Sequence, residues 1–67
     1  MDKLHFNVSG LINTDKKTQV KNALGKIDGV SMVNVDIGRG SIEVGYNSST
    51  NEQTITDCIE HVGCRII

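Results

Sequence analysis

Twice within 67 residues the apolar positions change from a spacing of two to helical spacing and back again. Leu4, Phe6 and Val8 recur with period two, so residues 3–9 predict a strand with one buried face. Val20, Ala23, Leu24 and Ile27 then fall on one helical stripe. Val33, Val35 and Ile37 alternate with Met32, Asn34 and Asp36 as a second strand, and Ile42, Val44 and Tyr46 continue the alternation in a third. Ile55, Cys58, Ile59 and Val62 form a second helical stripe, and Cys64-Arg65-Ile66-Ile67 reads as a brief final strand. The order is βαββαβ. With right-handed crossovers it gives an α+β, ferredoxin-like sandwich: four antiparallel strands in the order 4-1-3-2, with both helices on one face.

The punctuation fits that order. Gly10 closes the first strand, and Asn13 or Thr14 can cap the first helix. Asp28-Gly29 is expected to end it, because Gly tolerates the left-handed conformation found just past helix ends. Gly38-Arg39-Gly40 reads as a hairpin connection. Residues 47–51 are a polar loop in which Thr50, followed by Gln53, predicts a capping box for the second helix. Gly63 ends that helix. This topology brings three connections to one end of the sheet: residues 11–14, the hairpin at Arg39, and the turn before Cys64. A functional site is expected there, since loops carried on a rigid sheet can be positioned accurately.

Bulk properties narrow the function classes. A chain of 67 residues is read as a single domain, 1–67, with a small core. A formal charge of −1 argues against nucleic acid as a partner, and the two aromatic residues, Phe6 and Tyr46, are too few for a base-stacking platform. No apolar run approaches the roughly 18–20 residues that span a bilayer. Residues 1–8 alternate instead of forming the apolar block of an export signal, so a cytoplasmic location is expected. In that compartment the two cysteines are read as free thiols.

Beyond the periodicity, several segments resemble the heavy-metal-associated domain of copper chaperones and of the N-terminal tails of metal-pumping ATPases. The resemblance runs from about Leu4 to Ile67. It is carried by Val8-Ser9-Gly10-Leu11, by residues 27–36 (Ile-Asp-Gly-Val-Ser-Met-Val-Asn-Val-Asp), and by Ile59-Glu60-His61-Val62-Gly63-Cys64, which is similar to the family's Ile-Glu-x-Ala-Gly-Tyr. It implies the same ferredoxin-like fold and a part in metal transport. In the family, a Gly-Met-x-Cys-x-x-Cys loop leads into the first helix, and its two thiolates hold Cu(I), Zn(II) or a related ion, as soft donors should. Here Leu11 takes the Met place, Asn13 the first Cys place and Lys16 the second. An amide oxygen is a hard donor, and an ammonium has no lone pair and repels a cation. The expectation is a degenerate member that has lost its high-affinity site.

Cys64 is the one residue retained as a metal candidate. It lies beside the loop, is expected to be partly exposed, and could hold Cu(I) or Zn(II) weakly with help from Cys58, His61 or a second chain; the plainer reading is a small apolar residue opening a strand. Cys58 reads as core, and His5 and His61 as surface. Leu11, Ile12, Asn13, Lys16 and Arg39 form an expected partner surface; on it the Lys16 ammonium either stands in for the charge of a bound ion or, as the plainer reading has it, Asn13 and Lys16 are good helix-start and helix-surface residues left once the metal loop was lost. No enzyme signature is present: the acidic residues are scattered singly, and Gly38-Arg39-Gly40 is not a phosphate loop. Two functional readings follow. One is a metal-homeostasis module with a protein partner in a metal-handling system; the other is a metal-independent interaction or regulatory domain, with a homodimer joined along a sheet edge as one form of it.

Overall fold

The structure is a computed structural model that describes residues 2–11 and 13–67. Its elements are β1 (Asp2–Ser9), α1 (Thr14–Gly25), β2 (Val30–Asp36), β3 (Ser41–Tyr46), α2 (Glu52–His61) and β4 (Arg65–Ile66). The sheet order is β2-β3-β1-β4, which is the expected 4-1-3-2 read from the other edge. All three pairings are antiparallel.

Register explains why the period-two residues share a face. Phe6 lies opposite Ile42, and Ile42 opposite Val35; one step along, Leu4 faces Val44, and Val44 faces Val33. These pairs put the apolar set of three strands on one side of the sheet. Val20 and Leu24 from α1 and Ile55 and Ile59 from α2 close over it, all four fully buried. Stability of about 3–10 kcal/mol is the scale for a chain of this length, so each of these side chains is a large fraction of the total.

Two boundaries differ from the sequence reading. Helix α1 stops at Gly25, with Lys26 as its C-cap, four residues before the expected end. Ile27 donates from its N–H to Leu24 O and Val30 to Ile27 O, so the chain leaves the helix through successive tight turns. Gly29 is needed for the second of them: its φ is +98°, and a Cβ there would sit 2.9 Å from Ser49 Cβ and from Thr50 N. The cap of α2 is Asn51, whose Oδ1 accepts from Thr54 N at 2.9 Å, and not Thr50. Gln53 reaches forward to Asp57 instead of back to the cap, and Thr50 Oγ1 is buried with no hydrogen-bond partner among the described residues.

A register shift between Val30 and Met32 bulges β2 at Ser31, whose Oγ donates to Gly45 O. That irregularity lies on an edge strand, where it discourages pairing with another chain. Ser41 at the start of β3 is a buried polar residue, 8% exposed.

Candidate functional site

Three segments meet at the end of the sheet where β1 passes into α1. The hairpin docks first: Val8 N–H donates to Gly40 O at 2.8 Å. Gly10, just after β1, then packs directly on the α2–β4 turn. A Cβ on Gly10 would lie 3.0 Å from Gly63 O and 3.6 Å from Cys64 Cα, so only a glycine with its φ of +92° permits this approach.

Asn13 is the N-cap of α1. Its Oδ1 accepts from Lys16 N at 2.9 Å and its carbonyl accepts from Lys17 N at 3.1 Å. It thereby satisfies backbone donors that the first turn of any helix leaves open. Lys16 crosses to the other helix. Its Nζ donates to Val62 O at 2.9 Å, linking positions 46 residues apart. Val62 is the C-cap of α2, and the negative end of that helix favours an ammonium. Gly63 follows with φ +99°, and a Cβ there would come within 3.0 Å of Lys16 Nζ. The ammonium is therefore half-buried and turned inward, which corrects the expectation that it is displayed on an outer surface.

Cys64 is also placed differently from expectation. It is only 3% exposed and sits in the hydrophobic core, with its N–H donating to Ile59 O. It packs within the core cluster of Phe6, Val8, Leu11 and the α-helical residues, and the Gly10 backbone lies close to its Cα. Burial raises the Cys64 thiol pKa above its ordinary value, and the charge of Lys16 pulls in the opposite direction. Cys58 is half-buried against the core, and burial raises its pKa as well. Helix α2 does end before Cys64, but among the described residues no group of three or more His, Cys, Asp and Glu side chains is arranged to hold a metal ion.

Of the expected partner surface, Leu11 is 7% exposed and part of the core, so it is not presented to a partner. Ile12 lies outside the described residues. Asn13 and Arg39 are exposed, and Arg39 stands beside Asp36 at 3.8 Å on the hairpin. Sequence reasoning missed the Lys16–Val62 link, because nothing local marks a contact made across the fold.

Comparison with solved structures decides the family. A CopZ metallochaperone superposes with a TM-score of 0.94 at 30% identity, covering 98% of this chain and 100% of that one. The chain belongs to the heavy-metal-associated domain family. A copper-binding domain from HMA7, a P-type ATPase, gives a TM-score of 0.92 at 24% identity over 100% of this chain and 95% of that one. Oxidized MerP from Ralstonia metallidurans CH34 gives 0.89, also at 24%, over 98% and 93%. At that identity the last two attest the fold alone. No protein-family model and no curated protein matches the sequence. Among the described residues, no helix of this family member is long and apolar enough to cross a membrane.

Proposed function

We propose that this heavy-metal-associated domain, acting as a single module over residues 1–67, serves metal homeostasis by docking on a protein partner and not by carrying the ion. One observation supports this above all: both residues at the positions of the family's cysteines are already engaged in holding the fold. Asn13 Oδ1 caps α1, and the Lys16 ammonium is bonded to Val62 O. A soft cation placed between them would meet a hard neutral oxygen on one side and a positive charge on the other. The residues present do not fit the ion.

Cu(I) or Zn(II) binding is then at most weak and rests on Cys64, whose buried, protonated thiol is a poor ligand as it stands, since the thiolate is the binding form. The partner is read as a protein of a metal-handling system, met through the exposed groups of the loop end, Asn13 and Arg39, with Lys16 shaping the surface from beneath. The domain is read as a non-enzyme of the cytoplasm that binds neither nucleic acid nor membrane.

The test is a Cu(I) titration under reducing, anaerobic conditions against a competing chelator. The native chain and Cys64→Ala are compared, Ala being chosen because Ser would bury a hydroxyl. The expected result is that neither competes. Native competition abolished in Cys64→Ala would replace this reading with an unconventional carrier anchored at Cys64, and the stoichiometry would tell whether a homodimer shares one ion.

A further inference from the structure

We propose that the outer face of the sheet carries a cradle for an arginine side chain of a partner protein, seated on the Ser41 hydroxyl between Glu43 and Asp36. The inference goes beyond docking at the loop end. It uses a different surface, so either can fail without the other.

Strand alternation builds the cradle. Phe6, Ile42 and Val35 face the helices, and the residues that alternate with them face away. His5, Glu43 and Asn34 lie across from one another in one row; Asn7, Ser41 and Asp36 form the next. On this face His5, Asn34, Asp36, Arg39, Ser41 and Glu43 line a groove of about 150 Å³.

Ser41 points to a ligand. It is only 8% exposed although it lies on the open side of the sheet, and its hydroxyl has no hydrogen-bond partner among the described residues. A hydroxyl so far removed from water normally finds a partner, and leaving one unpaired is unfavourable. It borders the groove, where an incoming donor can reach it. Two carboxylates flank it. Lys3 Nζ stands 3.9 Å from Glu43 Oε1, and Arg39 Nε stands 3.8 Å from Asp36 Oδ2. Both separations are too long for a hydrogen bond, and exposed pairs of this kind are weak and easily displaced.

The lining therefore selects a cation with several donors. Two carboxylates against one guanidinium leave it negative while His5 is neutral. The acceptors are spread over two neighbouring strands: the Glu43 and Asp36 carboxylates, the Ser41 hydroxyl and the Asn34 amide oxygen. A guanidinium offers five donors in one plane, whereas an ammonium offers three from one point. Among the described residues no three His, Cys, Asp or Glu side chains are arranged for a metal ion, so an organic cation fits where an inorganic one does not. Size argues that the cation belongs to a larger molecule. The groove holds the equivalent of about five waters at ~30 Å³ each, below the range of pockets that enclose a free ligand.

The test is an amide-resonance titration of the whole chain at low ionic strength with the peptide acetyl-Gly-Gly-Arg-Gly-Gly-amide. Peptides with lysine or citrulline at the central position serve as controls; citrulline keeps the shape of arginine without its charge. The arginine peptide is expected to shift Asn34, Ser41 and Glu43 more than Gly10 and Gly63 at the loop end. Glu43→Gln and Ser41→Ala should each weaken its binding about tenfold, the scale of one hydrogen bond to a charged group. Glu60→Gln, an exposed change on α2, should leave it within about twofold. The lysine and citrulline peptides should bind at least about fivefold more weakly. Shifts centred on the loop end, no shift at all, equal binding of the lysine peptide, or unchanged binding in Ser41→Ala would each overturn the proposal.

Discussion

Restoring the family's cysteines to this scaffold tests the account of what replaced them. In Asn13→Cys/Lys16→Cys the cap of α1 is lost, which costs about 1 kcal/mol. The bond from Lys16 Nζ to Val62 O is lost too. A charge-assisted bond is worth about 1.5–3 kcal/mol when well buried, and partial exposure here reduces it to about 1 kcal/mol. The apo double variant should therefore be about 2 kcal/mol less stable than the native chain, a fall in Tm of about 8–16 °C for a domain of this size. The new thiolates sit at a helix N-terminus, which lowers their pKa and favours the ligand form. With free Cu(I) buffered at about 1,000 times the dissociation constant, binding adds about 4 kcal/mol to the folded state, more than the two losses combined. Thermal melts with and without chelator-buffered Cu(I) measure both quantities. The reasoning is refuted if the apo variant melts with the native chain, since Asn13 and Lys16 would then hold nothing together. It is refuted equally if the native chain gains as much from Cu(I) as the variant does.

The remaining predictions concern the scaffold. Asn51→Ala should lower stability by about 1 kcal/mol while Thr50→Val leaves it unchanged or raised, because Asn51 caps α2 and the Thr50 hydroxyl is buried without a partner among the described residues; urea midpoints for the two variants would decide. Leu24→Ala removes a side chain with no solvent exposure and should cost about 2–5 kcal/mol, a large part of the total stability, read as a lower urea midpoint by circular dichroism. Burial raises the thiol pKa of both Cys58 and Cys64, the latter against the opposing charge of Lys16, so the folded state keeps these protons longer than the unfolded chain. Their contribution is whole below the ordinary thiol value of about 8.5 and is lost as pH rises through the raised folded values; a urea-midpoint profile from pH 7 to 10 should fall at its alkaline end, and less steeply in Cys58→Ala/Cys64→Ala.

Most of the architecture was legible because one face of every element is buried, and burial writes its period into the sequence. Phe6, Ile42 and Val35 announce a shared sheet face before any register is known. The errors fall where two residues compete locally for one role. Thr50 and Asn51 are both good caps, and only the path of the chain into α2 selects the second. Gly25 and Gly29 could each end α1; the stripe that includes Ile27 hid the earlier stop, because Ile27 packs on the core from a turn. The absence of the family's cysteines from positions 13 and 16 was plain in the sequence. What took their place was not. The inward reach of Lys16 and the burial of Cys64 depend on a helix end 46 residues away and on two glycines that let backbones touch.

The strand order has one more consequence. The chain consists of two β-α-β units in succession, yet β1 and β2 are not neighbours in the sheet, nor are β3 and β4. Every ladder joins a strand of one unit to a strand of the other. Neither unit can satisfy its own backbone, so neither has an independent folded state. A chain cut between Arg39 and Gly40 would yield two fragments, each unstructured alone, that recover the whole sheet only by interleaving. The molecule is in this sense an internal heterodimer whose two subunits happen to share a hairpin.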